Sequence, residues 1–380
     1  MSEKTIYQHL QEQGVSRRDF LKLCGILVGA MGISVPPLGA SDLPLHLDDV
    51  DQRTFQSVAK ALESKSRVPV IWLEFQDCAG CSEALTRSQS PTLIDLVLNS
   101  ISVEYHETLT AAAGFQTEAN KKAIMQSYHG QYVLVVEGSI PTAAGGAYCT
   151  IGGQSAVDLL EEAAEGAAAI IATGNCAAFG GLPKAAPDPT GAKGVWEVLK
   201  GKTVVNIPGC PAIPEVFTGT LAHFLVFGSL PELDHLNRPM TFYGKTVHDR
   251  CLRRPFYEAG KFAMSFDDKG AKEGWCLYKL GCKGPTTYNA CASIKWDAGL
   301  SFPVQSGHPC LGCSEPNFWD GGGFYQGQSA PLNPPGITSV GAAVGAGAVV
   351  GAAIAANNLN QKKHAAKAGI AERSEEKKES

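Results

Sequence analysis

The sequence has few charged residues and no stretch rich in lysine and arginine. Charged residues make up 18% of its 380 residues, and the formal net charge is −5. Proteins that bind nucleic acid usually present clustered positive charge to the phosphate backbone. The scattered basic residues therefore argue against nucleic acid as a partner. The length is sufficient for two domains that each bury a core.

The amino terminus lacks an apolar run long enough to cross a membrane. Its run at 23–35 is shorter than the roughly 20 residues that a spanning helix needs. The paired residues Arg17 and Arg18 precede this run, which is typical of a twin-arginine export signal. We predict that residues 1–40 are this signal, which exports folded proteins, and that Cys24 is removed with it. A basic cap on an ordinary amphipathic helix is the alternative.

A second apolar block covers 337–356 and contains no charged residue. At 1.5 Å per residue a helix of this length just spans a bilayer core. Its glycines have the small-xxx-small spacing that suits helix packing in lipid, and Lys362 and Lys363 follow it. We predict a membrane anchor at 337–356, a cytoplasmic tail at 357–380, and a globular part on the periplasmic side of the inner membrane. A disordered Gly/Ala linker is the alternative.

Short apolar runs alternate with amphipathic segments between residues 67 and 232. The runs are rich in β-branched residues and lie at 68–75, 132–137, 168–173 and 203–207. Segments with a helical pattern include 155–164 and 215–227. Apolar strands interleaved with helices indicate a parallel sheet covered on both faces. We therefore predict an α/β domain over 67–232 with a flavodoxin-like, doubly wound parallel sheet.

Cysteine is abundant, with 12 residues in a chain that is not a small disulfide scaffold. Three predicted strands are each followed closely by a cysteine, namely Cys78, Cys176 and Cys210, and Cys81 completes a Cys-x-x-Cys pair. Ligands bind at the carboxyl edge of such sheets. Four thiolates there can hold zinc or an iron–sulfur cluster. A redox disulfide would leave Cys176 and Cys210 unexplained.

Residues 237–330 are rich in glycine, proline and aromatic residues and show little periodicity. They contain seven candidate metal ligands: His248, Cys251, Cys276, Cys282, Cys291, Cys310 and Cys313. We predict a small irregular domain that folds around its metal centres. Disulfides outside the cytoplasm are the alternative, but they would leave the histidine unused. Cys149 has no partner in this scheme and is predicted to be a small buried hydrophobic residue.

The order of these motifs resembles the small subunit of membrane-bound nickel–iron uptake hydrogenases. The motifs are Cys78-Ala-Gly-Cys81, Gly174-Asn-Cys176, Pro208-Gly-Cys210-Pro211, His248-Asp-Arg-Cys251, Leu280-Gly-Cys282 and His308-Pro-Cys310-Leu-Gly-Cys313. The resemblance extends from the export signal to the anchor. It implies an electron-transfer subunit of a hydrogenase whose nickel–iron centre lies in a larger partner chain.

The resemblance also implies three iron–sulfur clusters with separate ligand sets. A proximal [4Fe–4S] cluster would be bound by Cys78, Cys81, Cys176 and Cys210. A distal [4Fe–4S] cluster would be bound by His248, Cys251, Cys276 and Cys282. A medial [3Fe–4S] cluster would be bound by Cys291, Cys310 and Cys313, with Pro303 at the vacant corner. Gly80 and Gly181 stand where oxygen-tolerant members carry extra cysteines, which implies the standard, oxygen-sensitive form.

The resemblance implies as partners the hydrogenase large subunit and a membrane cytochrome b or quinone-reducing subunit, in a dimer of heterodimers. A stand-alone, exported and membrane-anchored iron–sulfur electron carrier is the alternative from another functional class. The related cluster subunit of respiratory complex I lacks the export signal and the cysteine-rich second half. The fourth hypothesis for the function is a structural protein that is stabilised by bound zinc.

Overall fold

A five-stranded parallel sheet forms the centre of the fold. The computed structural model describes residues 5–12, 14–30, 56, 58–61, 63, 66–89 and 91–326. The strands are β1 (Val68–Glu74), β2 (Ile101–His106), β3 (Tyr132–Glu137), β4 (Ala167–Thr173) and β5 (Val204–Ile207). They lie in the order β2-β1-β3-β4-β5, with every neighbouring pair parallel. This is the strand order of flavodoxin-like sheets, so the predicted parallel α/β fold is confirmed.

Helices flank the sheet and its connecting loops. The α-helices of the described residues include α1 (Ile6–Glu12), α2 (Arg17–Ala30), α3 (Gly80–Thr86), α4 (Leu93–Asn99), α5 (Gly114–Ser127), α6 (Ala156–Glu165), α7 (Gly174–Phe179), α8 (Gly181–Lys184), α9 (Val195–Val198), α10 (Pro214–Phe227), α11 (Met240–Tyr243), α12 (Arg254–Glu258) and α13 (Lys269–Lys272). Short 3₁₀ turns lie at Ala143–Gly146, His248–Arg250, Tyr278–Leu280, Gly284–Thr286 and Ala290–Ala292.

Each face of the sheet is covered by its own apolar core. Alternate side chains of β3 point to opposite faces, with Val133 in one core and Leu134 in the other. Helix α10 covers the first face through Val216 and Leu221, and α6 covers the second through Leu159. Each fully buried side chain of this size stabilises the fold by roughly 1.5–3 kcal/mol. The buried sheet is therefore a rigid base for the loops at its carboxyl edge.

Four of the strands lie within one residue of their predicted bounds, but β2 was missed. Its sequence alternates polar and apolar residues, and its middle is only half-buried because it forms an edge of the sheet. The prediction relied on fully apolar runs, which mark only the strands that are buried on both faces. The predicted helices begin within one residue of α6 and α10. Ser155 caps α6 by accepting from the Asp158 N–H at 3.2 Å.

Residues 244–326 contain only short helical turns and isolated bridges in place of extended strands. The longest helix there is α12, with five residues. A small apolar cluster that includes Val247, Leu277 and Phe302 holds this region together. Cysteine side chains pack against the cluster as well, which places candidate ligands within the interior of this irregular segment.

Helices α1 and α2 pack against α10 of the sheet domain. Phe20, Leu23 and Leu27 are buried there against Ala222 and Val226. No helix of the described residues is long and apolar enough to cross a membrane. The predicted anchor at 337–356, the tail at 357–380 and the end of the predicted signal at 31–40 lie outside the described residues.

Candidate metal centres

Four thiols meet at the carboxyl edge of the sheet, and we name Cys78, Cys81, Cys176 and Cys210 the proximal group. Cys81 lies in the first turn of α3 and Cys176 lies in α7, which begins directly after β4. The pKa of Cys210 is raised to about 12, first by burial and then by the charges of Cys176, Cys313 and Cys78. Burial likewise raises the pKa of Cys176 to about 11. These mutual effects indicate that the thiols lie close together, although the side chains of Cys78 and Cys210 remain exposed to solvent.

Glycines line the proximal group because a side chain would displace the sulfur atoms. A methyl group on Gly174 would collide with Cys81 Sγ, and one on Gly181 would collide with Cys176 Sγ. The backbone of Gly174 has φ +84°, which also favours glycine. A methyl group on Gly80 would lie 3.0 Å from Cys78 Sγ. Positions 80 and 181 therefore both adjoin proximal thiols.

Three carboxylates lie beside the proximal group, and of these Glu74 and Glu137 are buried whereas Asp77 is exposed. Glu137 Oε1 accepts the Cys81 N–H at 2.9 Å, and its Oε2 accepts the Ser82 N–H at 3.0 Å. Desolvation by the surrounding protein, followed by neighbouring negative charge, raises the pKa of Glu74 to about 7 and that of Asp77 to about 6. Burial lowers the pKa of His106 to about 4, so this imidazole is neutral at pH 7. Partial protonation of Glu74 at neutral pH reduces the negative charge beside the thiols.

The distal group, defined as His248, Cys251, Cys276 and Cys282, lines one cavity. Val247 and Pro285 also line this cavity. Burial is the largest cause that raises the pKa of Cys276 to about 11, with the charges of Cys282 and Cys251 adding to it. Burial lowers the pKa of His248, which keeps its imidazole neutral and able to bind a metal. The side chains of this group thus converge on a common space.

The medial group is defined as Cys291, Cys310 and Cys313, and all three side chains are half-buried. Burial raises the pKa of Cys291 well above its usual value, and the charges of Cys313 and Cys310 raise it further. Burial raises the pKa of Cys310 to about 12. The side chain of Pro303, predicted at the vacant corner of this site, is exposed. The group therefore offers three half-buried thiols as ligands.

Hydrogen bonds connect the medial group to both of the others. The Cys310 N–H donates to Cys282 Sγ of the distal group at 3.3 Å. On the other side, Asn175 precedes Cys176 of the proximal group, and its Nδ2 donates to the carbonyl of Cys313 at 2.9 Å. Asn175 is 2% exposed, so this bond is shielded from water. The three groups are consequently arranged in the spatial order proximal, medial, distal.

The eleven candidate ligands lie near other members of the groups that the family resemblance implies, and two cysteines lie outside these groups. Cys24 is buried between α2 and the sheet domain. Cys149 is half-buried at the margin of a core, so the prediction that it is buried was wrong in degree. Its position after the 3₁₀ turn Ala143–Gly146 leaves one side of it open to solvent.

Sequence reasoning missed Glu137, Asn175 and Arg253, which contact the candidate ligands. Glu137 ends an otherwise apolar strand, and a carboxylate at that point is a signal that could have been used. Asn175 lies between the glycine that starts α7 and Cys176. Arg253 carried no distinguishing pattern, because arginine two residues after a cysteine is unremarkable in sequence.

Two family models match separate parts of the chain. The model for the C-terminal part of the NiFe/NiFeSe hydrogenase small subunit matches residues 243–326. The model for the 20 Kd subunit of NADH ubiquinone oxidoreductase matches residues 78–224. This second match includes the proximal group but none of the seven candidate ligands that follow. Membership of the complex I family would therefore explain the proximal group alone.

Whole-chain relatives cover both halves. The chain is 45% identical over 358 residues to the uptake hydrogenase small subunit of Azotobacter vinelandii, covering 93% of this chain and 94% of that protein. It is 42% identical over 371 residues to the Hydrogenase-1 small chain of Escherichia coli K12, covering 95% of each. The reduced, active Ni–Fe–Se hydrogenase of Desulfomicrobium baculatum has a similar fold, with a TM-score of 0.65 and 36% identity over 69% of this chain and 100% of that one. The chain therefore belongs to the small subunits of nickel–iron hydrogenases, iron–sulfur electron-transfer proteins that form one part of a heteromeric enzyme.

Proposed function

We propose that this chain carries electrons from H2 oxidation in the large subunit through three clusters to a membrane cytochrome b or a quinone-reducing subunit. The observation that supports this proposal is the direct hydrogen bond from the medial group to the distal group. A second hydrogen bond, from Asn175 to the carbonyl of Cys313, connects the medial group to the residue that precedes Cys176 of the proximal group. A series of sites in contact suits a relay, whereas separate structural metal sites need no such contact.

The spacing of the thiols favours iron–sulfur clusters over zinc. A tetrahedral Zn²⁺ ion with Zn–S bonds of about 2.3 Å holds its sulfur atoms about 3.8 Å apart. One set of three candidate metal ligands among the described residues has ligand atoms that all lie within 4.8 Å of one another, and it consists of Glu74, Asp77 and Glu137. No three thiols of the described residues lie this close together. The thiols are therefore set wider apart, which leaves space for a core of several iron and sulfur atoms. Four ligands fit a [4Fe–4S] cluster at the proximal and distal groups, and three fit a [3Fe–4S] cluster at the medial group.

The chain's own residues hold such clusters and adjust their potentials. A bound cluster accepts and releases single electrons. The raised pKa values mean that the thiols are protonated until iron displaces the protons, so cluster binding is coupled to proton release. The backbone N–H of Arg253 donates a hydrogen bond to Cys251 Sγ at 3.4 Å, and hydrogen bonds to the cysteine sulfurs raise a cluster's potential. His248 contributes no negative charge, which acts in the same direction at the distal group.

The cellular placement is part of the same proposal. Arg17 and Arg18 followed by a short apolar run support export of the folded protein by the twin-arginine route. The uncharged block at 337–356 and the lysines that follow support an anchor in the inner membrane with a cytoplasmic tail. The globular part then faces the periplasm, beside a membrane electron acceptor. A dimer of such heterodimers belongs to the same proposal.

The iron content tests the cluster assignment. We expect about eleven iron atoms per small subunit in the purified complex, the sum of two four-iron clusters and one three-iron cluster. The oxidised protein should show the EPR signal of a [3Fe–4S] cluster. Stoichiometric zinc without iron would refute the assignment. Purification of an iron-loaded chain with no large subunit would instead favour the stand-alone electron carrier.

Export provides a separate test of placement. We expect the double variant Arg17→Lys, Arg18→Lys to retain the cluster-bearing complex in the cytoplasm, because a folded complex has no other export route. Fractionation followed by a hydrogenase activity stain measures this. The control is Lys122→Arg, which exchanges one basic side chain for another at an exposed position of α5 and should leave export unchanged. Normal periplasmic activity in the double variant would contradict the export signal.

A further inference from the structure

Arg253 is a buried cation beside the distal group. Its side chain is enclosed, with only 6% of the residue exposed, and it lines the same cavity as His248, Cys251, Cys276 and Cys282. Its Nε donates to the carbonyl of Val304 at 2.9 Å, and one terminal nitrogen donates to the carbonyl of Trp275 at 2.8 Å. The two carbonyls fix the guanidinium in one orientation against the cavity.

No carboxylate of the described residues lies within 4.0 Å of the Arg253 guanidinium. The two carbonyl groups accept hydrogen bonds from its N–H donors, but they do not neutralise its charge. A buried charge without a counter-charge is strongly unfavourable, so such residues are usually paired or placed beside a metal centre. The neighbouring negative charge has to come from the cavity. The thiols of Cys251, Cys276 and Cys282 line that cavity together with Arg253.

We propose that Arg253 is the counter-charge of the distal cluster and holds that cluster's potential above the value it would otherwise have. The inference rests on the proposed assignment of the distal ligands. Reduction adds one negative charge to a cluster, and a fixed cation nearby stabilises the reduced form more than the oxidised form. Burial matters here because water and salt screen a buried charge much less than an exposed one. The distal site thereby gains affinity for the electron that leaves the medial site.

Arg254 offers a matched control on the next residue. It also lines the cavity, but its side chain is 38% exposed and forms an ion pair with Glu258 at 2.9 Å. Replacing it by glutamine removes the same formal charge from nearly the same place. Its effect on the cluster should be small, because an exposed and paired charge is screened by solvent and by its partner.

The test is an EPR-monitored redox titration of the purified heterodimer for wild type, Arg253→Gln, Arg253→Lys and Arg254→Gln. We expect Arg253→Gln to weaken the distal cluster's electron affinity by about tenfold, a fall of ~59 mV for a one-electron couple. Arg253→Lys keeps the charge and should restore most of the potential, and Arg254→Gln should change the affinity by less than about fivefold. The medial [3Fe–4S] signal serves as an internal reference and should titrate unchanged in all four proteins.

The outcomes separate this inference from the proposed function. A wild-type complex without a distal cluster would refute the ligand assignment itself. An intact distal cluster with unchanged potential in Arg253→Gln, or equal shifts in the Arg253 and Arg254 variants, would overturn the role of Arg253 alone. If Arg253→Gln fails to retain the cluster, Arg253→Lys decides. A cluster with near-normal potential in the lysine variant supports the charge, and cluster loss there means that the carbonyl contacts, not the charge, are what matters.

Discussion

The Cys81→Ala variant should lose H2-driven dye reduction by about 100-fold or more, because one iron of the proposed proximal cluster would lose its ligand. Cys81 lies in α3, and its N–H is held by Glu137 at 2.9 Å. Alanine preserves that backbone bond and favours the helix, so the variant should still fold. The site would nevertheless retain only three thiolates, and a cluster with an open iron position is readily lost or oxidised. In the proposed relay this cluster is the first to receive electrons from the large subunit.

Cys149→Ala is the matched control for Cys81→Ala. Cys149 lies outside the three ligand groups and is half-buried at the margin of a core. Its replacement should change activity by less than about twofold, because it removes a small side chain that can be compensated locally. Both variants are assayed as purified heterodimers with viologen dyes, and the medial EPR signal reports whether the fold is intact. More than a tenth of wild-type activity in Cys81→Ala would argue against a proximal cluster bound by this residue.

The convergence of Cys78, Cys176 and Cys210 could be predicted because it follows from strand geometry alone. Each cysteine follows a buried parallel strand, and the carboxyl ends of parallel strands share one edge of the sheet. Only the assignment of strands was needed, not their order. The same reasoning could not place the distal and medial ligands, because their region has no regular elements to bring distant residues together. For those residues the resemblance to a family supplied the grouping.

The supporting residues were beyond sequence reasoning for a different physical reason. The side chain of Arg253 is held in place by hydrogen bonds to the carbonyls of Val304 and Trp275, which lie 51 and 22 residues away in the chain. Glu137 meets Cys81 only because β3 lies next to β1 in the sheet. These contacts depend on tertiary packing that no local pattern encodes. Ligand spacing is thus readable in a sequence, whereas the charges and hydrogen bonds that adjust a metal site are not.

Under H2, the wild-type complex should lose its oxidation current when O2 is added and recover only after a reducing potential is applied. Position 80 adjoins Cys78 Sγ and position 181 adjoins Cys176 Sγ, so both positions border the proximal thiols. Both positions hold glycine, so the proposed proximal cluster would have only four cysteine sulfurs as ligands. With four ligands a [4Fe–4S] cluster cycles between two oxidation states. It cannot deliver the additional electrons needed to reduce O2 fully at the nickel–iron centre.

Protein-film voltammetry measures this loss directly, with injections of anaerobic buffer as the control. The current should be unaffected by the buffer and should fall towards zero after air-saturated buffer of equal volume. Its recovery at a reducing potential shows that the enzyme was inactivated and not detached from the electrode. A steady H2-oxidation current in air would mean that Gly80 and Gly181 do not limit the proximal cluster in the proposed way. The complex would then need another source of electrons beside the active site.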